Sequence, residues 1–169
     1  MRGGCGRSPE PPATRQPVGA PGTGTVDGVG HDVRVPLLAV VGAHLRGEPL
    51  NHQLTDRGAQ LVRTTRTAPR YRLYALSTQP PKPGLVRTAD DRHVDPAAGS
   101  IEVEVWELDD AALGSFLTEV PAPLCLGTLE LDDGTTVLGF LCEELATRGC
   151  ADITSAGGWR AARGSNPPG

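Results

Sequence analysis

Histidine is the side chain whose ordinary pKa, about 6.5, lets it give and take protons near neutrality. The stretch "VGAHLRGEPLNHQL" (Val41–Leu54) holds two, His44 and His52, among Arg46, Glu48 and Asn51. Gly42 and Gly47 lie in the same stretch, and glycine allows both a sharp turn and a close approach of backbone to a ligand. Asn51 can orient a ligand through its amide. So polar and flexible a turn, directly behind an apolar run, reads as one that holds something. Further along, Arg66 in "RTTRTAP" is a candidate clamp, because a guanidinium binds a carboxylate through two parallel hydrogen bonds. Arg63 points to the opposite face of a regular strand, so both serve one site only if that strand is bulged. Glu102 and Glu104 share a strand face with Trp106. The plain reading of that face is a solvated one with Trp106 half covered; a buried carboxylate there would be a proton shuttle. Tyr71 and Tyr74 offer phenolic hydrogen bonds, although tyrosine is ordinary packing in strands.

The elements that must position these groups follow from periodicity. "VRVPLLAVV" (Val33–Val41) is rich in β-branched residues and ends at Gly42, as a buried strand does. "AQLVRTTRT" (Ala59–Thr67) and "YRLYAL" (Tyr71–Leu76) are β-prone, and three prolines make "STQPPKPG" (Ser77–Gly84) a stiff loop without a ladder. "IEVEVWEL" (Ile101–Leu108) has a clear period of two. In "DDAALGSFLTEV" Asp110 is placed to cap a helix whose stripe is Leu113, Phe116, Leu117 and Val120, and Pro121 stops it. Asp133-Gly134 predicts a hairpin between Leu129/Leu131 and Val137/Phe140. A short helix is expected from Glu143 to Arg148, ended by Gly149. Strands in hairpin-like succession with few helices predict an α+β domain, a small, mostly antiparallel barrel or curled sheet with a few helices outside.

Composition sets the bounds. The chain has 169 residues, 38% of them apolar, which suits one domain with a modest core. Residues 1–32 are dense in glycine and proline and poor in large apolar side chains, the composition of a disordered tail; the domain is expected over 33–162, with 163–169 a second disordered end. Pro9, Pro11, Pro12 and Pro17 interrupt any secretory h-region, and no run has the length of a membrane span, so a cytoplasmic protein is expected. A net charge of −4 with basic residues scattered among acids gives no footprint for nucleic acid. Lys82, the single lysine in an arginine-rich chain, reads as a mark of genome base composition. Cys5, Cys125, Cys142 and Cys150 lack C-x-x-C spacing, so neither a metal site nor a disulfide framework is expected; Cys125, Cys142 and Cys150 read as small buried side chains.

"GAHLRGEPLN" (Gly42–Asn51), "RTTRTAPRYRLYAL" (Arg63–Leu76), "IEVEVWEL", "PAPLCLGTLELDDGTTVLGFLCE" and "DITSAGGWRA" together resemble the C-terminal domain of allophanate hydrolase, collinearly from about Leu37 to Ala161. The resemblance implies a γ-glutamylcyclotransferase-like small barrel. In that superfamily the first strand ends in a Tyr-Gly-Ser-Asn-Leu loop around the ligand, and "VGAHL" (Val41–Leu45) stands in its place, making Gly42, Ala43 and Leu45 expected substrate contacts. It also implies decarboxylation of N-carboxycarbamate, a small dianion released from allophanate by an amidase. No Gly- and Ser-rich amidase signature is present, so an amidase would act in trans, and a homodimer is expected, with Ile101–Leu108 as a possible edge. No cofactor or metal is implied.

Losing CO2 from that dianion calls for a proton donor, positive charge and backbone N–H groups. His52 is the first candidate for proton transfer and His44 the second; Asn51, Arg66, Tyr74 and Glu104 complete the expected substrate contacts. Trp159 is expected to close the barrel base or meet a second copy. Two departures count against glutathione-type cyclisation: Ala43-His44 replaces Ser-Asn in the loop, and Glu119 is followed by Val120-Pro121 rather than by the glycine the cyclotransferases have. Two alternatives stay open: a γ-glutamyl or related amide as substrate, with Glu102, Glu104 or Glu119 as base, and a non-catalytic ligand-binding or assembly module.

Overall fold

The structure, a computed structural model, describes residues 35–164; the expected disordered segment 1–32 and most of 163–169 lie outside it. Strand β1 (Leu37–Val40) is short because Gly42 opens the polar turn after it, and the turn feeds a one-turn helix, α1 (His52–Thr55). Strands β2 (Gln60–Arg66) and β3 (Tyr71–Leu76) follow as expected, separated by Pro69. Next comes β4 (Lys82–Arg87), which overturns the reading of Ser77–Gly84 as loop to its end. Ala75 faces Pro83 and Leu76 faces Lys82 in a β3–β4 hairpin. β4 is an edge strand, so the N–H that Pro83 lacks is not needed by a neighbour on that side.

Strand β5 (Glu102–Glu107), helix α2 (Asp110–Leu117) and the hairpin of β6 (Leu124–Glu130) and β7 (Thr136–Cys142) complete the main framework. Asp109, not Asp110, caps α2: its carboxylate accepts from the N–H of Ala112 at 2.6 Å. Leu113 and Phe116 are buried, whereas Leu117, expected on the same stripe, is 46% exposed. The helix expected from Glu143 is a single 3-10 turn, Glu144–Thr147, and Gly149 leaves it at φ +76°. The chain ends in β8 (Ala151–Asp152), another 3-10 turn, and α3 (Trp159–Gly164), which runs two residues beyond the expected domain end.

Five strands form one sheet in the order β2-β5-β1-β7-β6, antiparallel except for β1 beside β7; three form a second, β4-β3-β8. Of the expected barrel or curled sheet, no closed barrel is formed among the described residues. The outer strands β2 and β6 of the larger sheet meet at their ends, where a bridge joins Thr67 and Leu131, the N–H of Ala68 donates to Glu130 O at 2.9 Å and that of Asp132 to Arg66 O at 3.0 Å. Alternation along β1 and β5 divides the core. Leu38, Val40 and Trp106 join Leu45, Leu54, Phe116, Phe140 and Trp159 on one side. Ala39, Val103 and Val105 join Tyr71, Leu73, Leu85 and Leu129 on the other. Strand β5 is therefore covered on both faces and central in its sheet, which corrects two expectations: Glu104 and Trp106 are not on a solvated face, and Ile101–Leu108 offers no edge to a second copy. Trp159 is core too. Among the cysteines, Cys142 is buried, which pushes its thiol up to about 11, but Cys125 is exposed, contrary to expectation. No described helix is long and apolar enough to cross a membrane.

Candidate functional site

The turn after β1 folds on itself. The N–H of Leu45 donates to Gly42 O at 2.9 Å, that of Glu48 to Leu45 O at 2.9 Å, and that of Leu50 to Ala43 O at 2.8 Å. Gly47 makes the reversal at φ +85°, where a side chain would be strained. Gly42 has a different reason to be glycine: a Cβ there would stand 2.3 Å from Pro83 Cδ, so the turn and β4 can only meet if it has none. Leu45 and Leu54, both fully buried, plug the turn into the core, each side chain contributing about 1.5–3 kcal/mol by burial.

Three residues expected at the ligand hold this turn. Asn51 Nδ2 donates to the carbonyl of His44 at 2.9 Å. Leu45 is a core residue. Glu104, 1% exposed, accepts from the N–H of Arg46 at 2.7 Å and from Trp106 Nε1 at 3.3 Å, and pairs with Arg160 at 2.9 Å. Arg160 in turn donates to the carbonyl of Arg46 at 2.7 Å, so Glu104 and α3 grip the turn from behind.

In front of the turn lies His44. Its ring stacks on Phe140 at 5.1 Å, meets the edge of Phe116 at 5.2 Å, and its Nε2 lies 2.8 Å from Gln53 Oε1. Burial lowers its pKa below 6.5; the hydrogen bond to Gln53 opposes that shift, and the positive charges of Lys82 and His52 add to it. The N–H groups of Ala43 and His44 have no acceptor among the described residues.

Two small adjoining hollows, about 20 and 60 Å³, share His44, Lys82, Leu124 and Phe140 as walls. Gly42, Ala43 and Pro83 border the smaller; Gln53, Phe116 and Glu119 border the larger. Together they have room for a few water-sized groups. The side chain of Lys82, a half-buried residue at the start of β4, makes no hydrogen bond or ion pair among the described residues. Glu119, by contrast, is paired with Arg57, which also donates to Ser115 Oγ at 2.7 Å and to the carbonyl of Gln53 at 2.8 Å, fastening α1 to α2.

The sequence-based candidates thus separate. Gly42, Ala43 and His44 border the hollows. His52 does not: it is exposed, with Nδ1 3.0 Å from Pro49 O. Arg66 is exposed and bonds Ser100 and, at 3.3 Å, the carbonyl of Gly157. Tyr74 faces a separate cleft beside Arg72, which Asp95 holds through two bonds of 2.6 Å. Glu102 pairs with Arg160 at 3.2 Å. Lys82, Gln53, Phe116 and Phe140 were missed as site residues. For Lys82 a signal was present: a lone lysine among arginines, one residue before the proline that packs on Gly42.

A family model described as the allophanate hydrolase C-terminal domain matches residues 36–164. The chain is 42% identical over 128 residues to a urea amidolyase of Saccharomyces cerevisiae; the match covers 73% of the chain and 7% of that relative. It is similar to the solved structure of Kluyveromyces lactis allophanate hydrolase, with a TM-score of 0.70 and 38% identity over 78% of the chain and 21% of that protein. It is also similar to c4763, a uropathogenic E. coli-specific protein, with a TM-score of 0.68 and 34% identity over 79% of the chain and 98% of that protein, which is nearly all this one unit. With the match running from the first residues before β1 to the end of α3, the chain belongs to the allophanate hydrolase C-terminal domain family.

Proposed function

We propose that this protein decarboxylates N-carboxycarbamate, the dianion an amidase releases from allophanate, and that the reaction takes place in the hollows beside His44. The observation that carries the reading is Lys82: an unpaired, half-buried cation beside a half-buried histidine and the open N–H groups of Ala43 and His44. That is an arrangement for a small anion. Family membership supplies the substrate class.

In the reaction a C–N bond breaks, its electron pair stays on nitrogen, and nitrogen takes up one proton while the freed carboxylate becomes CO2. His44 is the proton-transfer residue in place of His52. Burial lowers its pKa in the empty site, and the negative charge of a bound dianion opposes that shift, favouring the protonated imidazole the reaction needs.

A γ-glutamyl substrate fits less well, because Glu102 and Glu104 are held by Arg160 and Glu119 by Arg57. The test supplies allophanate to a purified amidase domain and follows CO2 with and without this protein. Wild type is expected to speed CO2 release, His44→Gln to lower that rate by about 10²-fold, and His52→Ala to stay within about twofold of wild type. Equal loss in both histidine variants, or none in His44→Gln, refutes the assignment.

A further inference from the structure

Strand β6 is an outer strand of the larger sheet, and the backbone groups along its outer side follow a pattern. The N–H of Leu131 donates to Thr135 O at 2.8 Å and that of Glu143 to Pro123 O at 3.0 Å, so the odd-numbered residues of β6 face β7. The even-numbered ones turn their backbone groups outward, and half of those groups are engaged. The N–H of Glu130 donates to Tyr71 Oη at 2.9 Å, and its carbonyl accepts from Ala68 at 2.9 Å. Arg87 donates to Thr128 O at 2.6 Å, and the N–H of Leu124 donates to Pro121 O at 3.0 Å. Among the described residues, the N–H and carbonyl of Leu126, the N–H of Thr128 and the carbonyl of Leu124 have no partner. The strand also lacks the usual guards of an exposed edge: it has no charged side chain before Glu130, no proline and no bulge. Thr128 is exposed on one face and Cys125 on the other, so the edge is open from both.

We propose that two copies of this chain pair through β6, antiparallel about a two-fold axis at Leu126. The free groups select that axis. The N–H and carbonyl of Leu126 exchange bonds with those of Leu126 in the second copy, and each Thr128 N–H donates to the carbonyl of Leu124 in the other copy. Thr128 O and the Leu124 N–H then face each other, and both already have partners within their own copy. Moving the axis to Cys125 or Gly127 sets free groups against engaged ones and loses half the bonds. The pattern is complementary to itself, and this makes a second copy the occupant of the edge. The two five-stranded sheets join into one, and the two Leu126 side chains meet on the face where Leu138 is 39% exposed. Leu124 also borders both hollows, so the interface starts at a wall of the candidate site.

The test reads the mass of the particle and the exchange of one amide. By light scattering and sedimentation, wild type is expected at twice the mass of one chain at micromolar concentration, and Thr128→Pro at the mass of one chain. The N–H that Thr128→Pro removes points away from β7, and an edge strand tolerates proline at such a position; a far-UV spectrum like that of wild type checks that the variant is folded. A second readout needs no variant: in wild type, the Leu126 N–H is expected to exchange with deuterium about tenfold more slowly at high than at low protein concentration. Wild type of single mass at every concentration overturns the proposal. So does a dimer that survives Thr128→Pro, or one that leaves the Leu126 N–H in fast exchange. Single mass with a slow Leu126 N–H would mean that a segment of the same chain covers the edge, and overturns it too.

Discussion

At the scale of single residues, the sequence singled out one polar turn with two histidines, and the structure sets only one of them, His44, beside the hollows. His44 and His52 are equivalent in type and lie on the same polar stretch. What separates them is Phe116 and Phe140, far along the chain, which cover His44 and leave His52 in water. The same burial makes His44 a pH sensor of stability. Its folded pKa lies below the unfolded value of about 6.5, so between the two the unfolded chain binds more protons. The stability His44 contributes is therefore fully present above about pH 6.5 and is lost as pH falls through the folded pKa. Urea midpoints measured from about pH 7.5 down to about pH 5 are expected to fall for wild type and to fall less steeply for His44→Gln. Parallel slopes would show that His44 does not carry the effect. Lys82 was legible only as an oddity of composition; that its side chain has no partner among the described residues is a fact of the space around it.

At the scale of elements, the functional turn is held by groups remote in sequence. Glu104 on β5 and Arg160 on α3 hold Arg46 by its N–H and its carbonyl, at 2.7 Å each. Glu104→Gln weakens the hydrogen bond to Arg46 and the pair with Arg160. The cost is expected at about 2 kcal/mol, since Arg160 is partly solvated and its pair correspondingly screened. Turnover should fall with it, through the turn that Glu104 holds; a melting curve and CO2 assay identical to wild type would remove Glu104 from this role. The period of two in Ile101–Leu108 made β5 easy to see, yet it did not say that both faces are covered, because covering depends on the second sheet and on α2. The proline-rich stretch failed differently. A residue without an N–H rules out a central strand, and only the sheet order shows that β4 is an edge.

At the scale of the molecule, the two apolar clusters share strands. Leu38 and Val40 face one and Ala39 the other; Trp106 faces one and Val105 the other. Neither cluster can melt without exposing a strand that the other needs, so the described unit is expected to unfold in one step. Trp106 and Trp159 both lie in the first cluster and Tyr71 in the second. Tryptophan fluorescence, near-UV signal and far-UV circular dichroism should therefore trace the same denaturant transition. Separate midpoints would mean that the two sides fold apart.

The sequence by itself determined the local choices: β-branched runs became strands, Asp133-Gly134 became a hairpin, an aspartate capped α2, and the long collinear strings already resembled the family the chain belongs to. These depend on neighbours within a few residues, where backbone preference and periodicity act. Only the tertiary structure decided that the curled sheet stays open, that Glu104 is buried, and that His44, Lys82 and two phenylalanines from α2 and β7 surround one space. Those outcomes rest on contacts between residues far apart in the chain, and burial, which sets both the pKa of His44 and the freedom of Lys82, exists only once those contacts are made.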